Sequence, residues 1–396
     1  MFGELKEIAR RHQASIVTTA VRTQDEAAID DLRNSGIDVR VVWRERQSRT
    51  SRESLSRLLA WASTDLPIGV LDPEAADIVR HISAYEDIDV LHVAASRWAS
   101  PGLLLAPRYI GRASVLTDHE SAPAPGAHRG RTALGTGDRL LELLDTNRWR
   151  KFLGGAYALF DRIQVFTAED AASIARAYPD VAERTTVNPF GVDLPPVDTD
   201  NSPTEESLLF VGNFRHPPNL DAARWLTNEI FPRILNERPN ARLTLAGAGA
   251  HSALVTRAHI TVISDVADLA PVYAATSVVV APLRTGGGMR LKVMEGMAHA
   301  RPVVCTSIAA AGISVEDAPA PLIVADDAVA FAREVATLLA APVARLQLAQ
   351  AARRHVSLYF SWTAYGQRLD RLYSAALQSR KGRPQQIRFE PRSTRS

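Results

Sequence analysis

Short apolar runs rich in β-branched residues alternate along the whole chain with segments whose apolar positions recur at helical spacing. This alternation is typical of βαβ units and predicts two doubly wound, mostly parallel sheets. Many of the runs contain no alternating polar positions, as expected for strands covered on both faces. The predicted strands are 15–19, 38–42, 89–93, 114–117, 163–166 and 185–187 in the first half, and 208–211, 243–246, 260–263, 278–281, 303–305 and 322–324 in the second.

The chain opens on a helical pattern at residues 5–11 instead of a strand. In the doubly wound order 3-2-1-4-5-6, the first strand lies in the middle of the sheet, and the turn after it approaches the ligand. The first half is therefore predicted to lack its first strand. A start codon placed too late and a true loss of the strand both explain this pattern.

At 396 residues the chain is too long for one ordinary core, and a length of about 150 to 200 residues per domain predicts two domains. Residues 194–203 are polar and rich in proline, which predicts a linker. We place an N-terminal Rossmann-like domain with this linker at 1–200 and a second Rossmann-like domain at 201–378. The basic segment 379–396 is predicted to be a disordered tail.

Hydrophobic residues make up 46% of the sequence and charged residues 23%, which is typical of a soluble globular protein. No apolar stretch reaches the roughly 20 residues of a spanning helix, and no secretory signal opens the chain, so a cytoplasmic protein is predicted. The net charge of +2 gives no indication of a nucleic-acid partner. The single cysteine, Cys305, lies in an apolar run and is predicted to pack in the core.

Positive charge is concentrated in two places, between Arg44 and Arg57 and in the tail from Arg380 to Arg395. Such clusters can contact an anionic membrane surface, here the inner face. A solvated helix face and a disordered terminus explain the same charges without any membrane, and this interpretation is preferred.

The segment with the clearest chemical pattern is APLRTGGGMRLKVMEGMAHARPVV at 281–304. Its three glycines follow an apolar strand and precede a helix, so the backbone and the free N–H groups of the helix can approach a diphosphate. Arg290 and Lys292 would oppose the helix dipole unless an anion binds there. Glu295 lies farther along the helix, where a carboxylate can accept hydrogen bonds from a ribose diol. Glycine turns by themselves are weak signals, since many only connect a strand to a helix.

The whole string at 281–304 resembles the donor-site motif of retaining family-4 glycosyltransferases of the GT-B fold, in the branch with a Gly-Gly-Gly-x-Arg-Leu-Lys form. Residues 188–193, 210–219 and 360–362 resemble other parts of the same family, so the likeness covers nearly the full chain. It implies two Rossmann-like domains facing a cleft, an acceptor domain followed by a donor domain. The family's last helix often crosses back to the first domain.

The resemblance also implies roles for individual residues. Glu295 matches the glutamate that contacts the nucleotide ribose, whereas Gly287 stands where the family has a second carboxylate near the sugar. Arg215 matches a diphosphate-binding arginine, and Asn219, also a candidate helix cap, stands near the place of the family's lysine. His119 matches the catalytic-site histidine that faces the donor sugar, whereas His92 is predicted to be a core residue. The predicted donor-binding residues are Asn213, Arg215, Val266 at the nucleobase, Gly286, Gly287, Gly288, Met289, Arg290, Leu291, Lys292 and Glu295.

A family member of this kind would move a sugar from a nucleotide-sugar donor to a glycan or lipid-linked acceptor, with retention of configuration, in polysaccharide or glycolipid synthesis. The nucleotide-sugar is a substrate, and no other cofactor is predicted. No metal site is predicted either, because neither domain contains an Asp-x-Asp cluster. The alternative is a catalytically impaired homologue that binds a nucleotide-sugar or acts as a scaffold, which the loss of the first strand would favour. A third hypothesis, an epimerase of the same fold, lacks support because the sequence shows no matching acid and base carboxylates.

Overall fold

The computed structural model describes residues 2–44, 67, 73–85, 87–95, 101–108, 110, 112–119, 136–197, 203, 205–254, 256–266, 268–286, 289–315 and 318–380. The chain divides into two compact units, of which one combines Met1–Asn188 with Gly366–Ser396 and the other comprises Pro189–Tyr365. This division falls before the predicted linker instead of within it. It also assigns the end of the chain to the first unit.

The second unit contains one parallel sheet of six strands in the order β12-β11-β10-β7-β8-β9. Read in chain order, this is the doubly wound arrangement 3-2-1-4-5-6. All predicted strands of this half are confirmed, with the central ones buried on both faces as their apolar runs indicated. The strands are β7 Ser207–Val211, β8 Arg242–Ala246, β9 Ile260–Ile263, β10 Val278–Ala281, β11 Val303–Cys305 and β12 Ile323–Val324.

The first unit contains parallel strands in two separate sheets, β1-β2 and β3-β4-β5-β6. In the doubly wound order, strand 1 lies between strand 2 and strand 4, so omitting it leaves these two groups. Among the described residues no strand pairs with the other edge of β1 or of β3. The predicted strands of this half are also confirmed, as β1 Ser15–Val21, β2 Asp38–Arg44, β3 Val90–Ala95, β4 Ala113–Asp118, β5 Arg162–Val165 and β6 Thr185–Val187.

Helices connect successive parallel strands in both units, as parallel pairing requires. Those described in the first unit are α1 Phe2–Arg11, α2 Arg22–Asn34, α3 Pro73–Ser83, α4 Thr136–Tyr157 and α5 Ala168–Ala177. Those described in the second are α6 Pro217–Trp225, α7 Phe231–Glu237, α8 Ala250–Ala253, α9 Ala270–Ala274, α10 Leu291–Ala298, α11 Ser307–Ala310, α12 Ala328–Ala340 and α13 Pro342–Tyr359. The last described helix, α14 Trp362–Arg380, begins in the second unit and continues into the first.

His92 on β3 is a hydrogen-bonded core residue, as predicted. Its ring nitrogens lie 2.7 Å from the Tyr373 hydroxyl and 2.6 Å from Thr117 Oγ1. Gln164 Nε2 donates to Thr117 Oγ1, and Asn188 Nδ2 donates to Gln164 Oε1. Burial lowers the pKa of His92 to about 4, so the ring is neutral at pH 7. These bonds form a polar chain across the four-stranded sheet.

Cys305 is fully buried in the core of the second unit, and burial raises the pKa of its thiol to about 12. The predicted packing role is therefore confirmed.

Most of the two basic clusters, at 45–57 and 381–396, lies outside the described residues. None of the helices in the described residues combines the length and the apolar character needed to span a bilayer.

Candidate donor site

A cavity of about 680 Å³ lies in the second unit at the carboxyl ends of β7 and β10. These neighbouring strands are first and fourth in this unit, so the cavity occupies the switch point where ligands bind in doubly wound sheets. Gly212, Gly247 and Asp265 also line it. The predicted residues that the fold brings together there are Asn213, Val266, Gly286, Met289, Arg290, Leu291, Lys292 and Glu295.

The glycine turn leads from β10 to the start of α10. Gly286 has φ +123°, a conformation that L side chains rarely adopt. Gly287 and Gly288 lie outside the described residues. The helix begins at Leu291, with Arg290 as its N-terminal cap, later than the glycines themselves. Because the first helical residues line the cavity, the unpaired N–H groups of α10 are available to an anion there.

The Arg290 side chain is only 7% exposed, and its guanidinium binds backbone carbonyls. Its Nε donates to the Ile308 carbonyl at 3.0 Å and one terminal nitrogen donates to the Gly286 carbonyl at 2.9 Å. These bonds connect the glycine turn to α11. The buried charge therefore holds the turn in place while it adds positive potential to the cavity.

Lys292 lies in the first turn of α10, and its Nζ donates to Asn219 Oδ1 at 2.7 Å. Burial, together with the nearby Arg290 charge, lowers the pKa of Lys292 to about 8. Asn219 does not cap α6, contrary to the sequence-based prediction. It lies inside the helix, which His216 caps, and its Nδ2 donates to the Asn213 carbonyl at 2.9 Å. Asn219 therefore links the lysine of α10 to the backbone of the loop that follows β7.

Glu295 is in the second turn of α10 and half-buried. Burial raises its pKa, while a hydrogen bond from Tyr273 and the charge of Lys292 lower it. The Tyr273 hydroxyl lies 3.4 Å from Glu295 Oε2. Sequence reasoning missed Tyr273, because it belongs to no motif and lies 22 positions before Glu295.

Arg215 lies beside the cavity, outside its lining residues. Its backbone N–H donates to Asn213 Oδ1 at 3.1 Å, and its side chain passes Gly249 so closely that a Cβ there would lie 2.8 Å from Arg215 Cγ. Val266 lies on the cavity wall after Asp265, whose φ of +54° is unusual for a residue with a side chain. Arg215 follows β7 and Val266 follows β9, so both residues belong to loops at the carboxyl ends of the strands that surround the cavity.

His119 belongs to the first unit and directly follows β4. Its ring lies 5.2 Å from that of Phe166, and burial lowers its pKa. The buried Nε2 atom has no hydrogen-bond partner among the described residues. The preceding Asp118 accepts a hydrogen bond from the Tyr157 hydroxyl at 2.5 Å. A neutral imidazole at the carboxyl end of a strand can still exchange a hydrogen bond with a ligand.

Two family models match successive parts of the chain. The model described as Glycosyltransferase Family 4 matches residues 26–195, and the one described as Glycosyl transferases group 1 matches residues 205–341. The boundary between the two matches coincides with the Pro-rich segment. The second match contains the whole cavity.

Two curated relatives share parts of the sequence. A GDP-mannose-dependent monoacylated alpha-(1-6)-phosphatidylinositol monomannoside mannosyltransferase of Corynebacterium glutamicum is 25% identical over 206 residues, which are 46% of this chain and 54% of that protein. An uncharacterized 44.6 kDa protein in the cps region of Klebsiella pneumoniae is 29% identical over 140 residues, which are 33% of this chain and 36% of that protein. The matched part is thus about a third to a half of each relative's length.

The fold is that of known GT-B structures. The crystal structure of HepE from Anabaena in complex with UDP and glucose superimposes with a TM-score of 0.63 over 94% of this chain and 95% of that one, at 15% identity. At such identity the likeness concerns the fold alone. Two successive parts of the chain thus match glycosyltransferase family models, and the chain has the GT-B fold.

Proposed function

We propose that the protein transfers a sugar from a nucleotide-sugar donor to a glycan or lipid-linked acceptor, with retention of configuration. The observation that supports this most directly is the cavity at the switch point of the second unit. It places the Lys292 ammonium, the start of α10 and the Glu295 carboxylate on one wall. A nucleoside diphosphate has groups complementary to all three, namely the phosphates for the first two and the ribose for the third.

The chemistry that these residues support is electrostatic. As the glycosidic bond breaks, the leaving nucleoside diphosphate gains negative charge, which the N–H groups of α10 and the Lys292 ammonium stabilise. An acceptor hydroxyl then attacks from the face that the diphosphate leaves and gives its proton to the departing phosphate oxygen, so no enzyme nucleophile is required. We assign His119 to the sugar-facing side of the reaction, as the family resemblance implies. The nucleotide-sugar is consumed as a substrate, and no further cofactor belongs to the proposal.

One sequence feature supports a second candidate, a catalytically impaired homologue that binds a nucleotide-sugar. Gly287 stands at the position where the family has a carboxylate near the donor sugar. The two candidates share the binding step and differ in turnover. Membrane contact through the basic clusters stays a prediction from the sequence.

The binding step is tested by thermal unfolding with UDP-glucose, GDP-mannose, UDP, GDP and ADP. A ligand at 100 times its dissociation constant raises the free energy of unfolding by about 2.7 kcal/mol. Lys292→Ala is expected to weaken nucleotide binding by about 1 kcal/mol or more, because a charge-assisted contact is lost. The matched control is Lys151→Ala, which removes an exposed lysine of the first unit and leaves binding unchanged.

Turnover is then measured with the donor that binds, and the anomeric configuration of the product is read by NMR. A product of retained configuration supports the transferase. Donor binding without turnover across a broad set of glycan and lipid-linked acceptors supports the impaired homologue. If no nucleotide or nucleotide-sugar shifts the unfolding transition, both candidates are rejected.

A further inference from the structure

Tyr273 on α9 is 1% exposed and contacts Glu295, a residue that lines the cavity. Its hydroxyl points to Glu295 Oε2 at 3.4 Å, longer than the usual O–H···O distance of about 2.7–2.8 Å. Burial raises the pKa of Tyr273 well above its ordinary value, so the phenol remains a hydrogen-bond donor at neutral pH. Hydrogen bonds at ligand sites often shorten only when the ligand binds.

A second contact fixes the tyrosine ring. His299 directly follows α10, and its ring stacks on that of Tyr273, with centroids 4.2 Å apart and planes inclined by 9°. Residues four positions apart lie on the same helix face, so Glu295 and His299 hold the hydroxyl and the ring of Tyr273 from one side. The backbone N–H of His299 also donates to the backbone carbonyl of Glu295 at 2.9 Å. The tyrosine and the carboxylate are therefore positioned by a common element.

His299 is neutral at pH 7, because burial and then the charges of Arg301 and Arg353 lower its pKa to about 4, against an opposing effect of Asp268. A neutral ring can brace Tyr273 without attracting the Glu295 carboxylate. The stack is therefore a mechanical support and adds no charge to the cavity.

The groups that act on the Glu295 carboxylate come from three segments. Tyr273 on α9 and Lys292 on α10 favour its charged form, whereas Asp193, in the segment before β7, opposes it. Asp193 itself accepts a hydrogen bond from Trp362 Nε1 at 2.8 Å. Among the described residues, Glu295 Oε2 faces Tyr273 and no hydrogen bond is made to Glu295 Oε1. The two oxygens thus have different surroundings.

We propose that Tyr273, braced by His299, is a positioning residue that fixes Glu295 Oε2 and directs Oε1 to a ribose hydroxyl of the donor nucleotide. The inference rests on the proposed function and identifies a group that acts on the ribose through Glu295. Tyr273 does not line the cavity, so it should act on the nucleotide only through Glu295. Its removal should therefore affect only nucleotides whose ribose Glu295 can bind.

The test compares Tyr273→Phe, Glu295→Gln and the double variant by isothermal titration with UDP, GDP and ADP and with their 2′-deoxy counterparts. Phenylalanine keeps the ring on His299, so only the hydroxyl is lost. Tyr273→Phe is expected to weaken ribonucleotide binding about fivefold and 2′-deoxynucleotide binding much less. In the Glu295→Gln background the same change should have little further effect, because coupled residues are not additive.

Nucleotide affinity is also measured as a function of pH. If Tyr273 had a purely structural role, its replacement would not shift this pH profile. Binding through ionised Glu295 is lost as the pH falls through the pKa of this carboxyl. Without the Tyr273 hydrogen bond that pKa is higher, so the loss should begin at higher pH in Tyr273→Phe. Tyr365→Phe is the matched control, a buried tyrosine of the same unit outside the cavity lining, and should leave the profile unchanged.

An equal loss with ribo- and deoxyribonucleotides, or an undiminished effect in Glu295→Gln, would assign Tyr273 a structural role and overturn the inference. Unchanged affinity and pH profile in Tyr273→Phe would overturn it too, while binding by the wild-type protein would leave the proposed function intact. If the wild-type protein binds none of the nucleotides, the proposed function fails and this inference fails with it. Should Tyr273→Phe unfold early, His299→Phe keeps the stack and the hydroxyl and must retain ribose-dependent binding.

Discussion

The surroundings of Lys292 lower its pKa to a value at which the charge of the side chain depends on pH and on the binding of an anion. Burial and the Arg290 guanidinium oppose the charged form, and the Asn219 side-chain oxygen is the acceptor at 2.7 Å. A diphosphate at the start of α10 would add the opposite charge and favour the ammonium. The protonation of this side chain and the binding of an anion are therefore linked.

Nucleoside diphosphate affinity is expected to fall as the pH rises through about 8, the pKa of Lys292 in the unliganded protein. Above that pH the lysine is increasingly neutral, so binding must first recover a proton. Titration calorimetry of UDP or GDP in two buffers of different ionisation enthalpy should show proton uptake on binding near pH 8.

Lys292→Met separates this effect from other titrations, since methionine retains an unbranched chain without charge. The variant should bind more weakly at pH 7 and lose the decline near pH 8. A decline of the same size in Lys292→Met would show that another group titrates, and Lys292 would then not be the diphosphate ligand.

At the scale of elements, the site depends on how the turn after β10 presents α10. Gly286 adopts φ +123°, and its carbonyl accepts a hydrogen bond from Arg290, the residue that caps the helix. This hydrogen bond therefore fixes the position of the turn relative to the start of α10. Strain introduced at Gly286 should alter the position of the N–H groups that face the cavity.

Gly286→Ala is expected to cost about 1–3 kcal/mol in the free energy of unfolding and to weaken nucleotide binding, because a side chain disfavours this backbone conformation. Chemical denaturation and titration calorimetry measure the two effects. Gly155→Ala in α4 is the matched control, since its added Cβ would meet nothing within 4 Å. That control should be neutral or stabilise the protein by up to about 1 kcal/mol. Wild-type affinity in Gly286→Ala would mean that the turn does not shape the site.

At the scale of the whole molecule, the C-terminal part of α14 packs in the same compact unit as the N-terminal residues. From Gly366 onward, α14 is part of the first unit, where Asp370 pairs with Arg11 at the end of α1 and with His12 directly after it. Tyr373 binds His92, and Arg368 Nε donates to Asn188 Oδ1 at 2.7 Å. The first unit is thus closed by residues from both ends of the sequence.

Ending the chain at Tyr365 should destabilise the first unit selectively, because His92, Asn188 and Arg11 lose partners there. Hydrogen exchange followed by mass spectrometry should show faster exchange in β3 and β4, with little change in β7 and β10. The control chain ends at Arg380 and keeps all described contacts of α14. Uniform protection of both units in the shorter chain would contradict the assignment of α14 to the first unit.

Sequence patterns predicted every described strand, because the signal of a buried parallel strand is local and apolar. The glycine turn, Lys292 and Glu295 were also found from the sequence, since a turn and the helix after it are contiguous in the chain. His92 and Cys305 were correctly placed in the core. Among the described residues, the two separate sheets of the first unit have the grouping expected from the prediction that a central strand is lacking.

The sequence by itself therefore determined the elements, the class of sheet and the segment that lines the cavity. Only the tertiary structure decided which distant side chains complete the site. Asn219, predicted as a helix cap, meets Lys292 from 73 positions away, and Tyr273 reaches Glu295 from another helix. The family resemblance had already implied that the last helix crosses to the first domain, and the structure adds the partners of α14 there. The physical reason is that local patterns encode burial and backbone conformation, whereas polar partners across a sheet are set by the order of its strands.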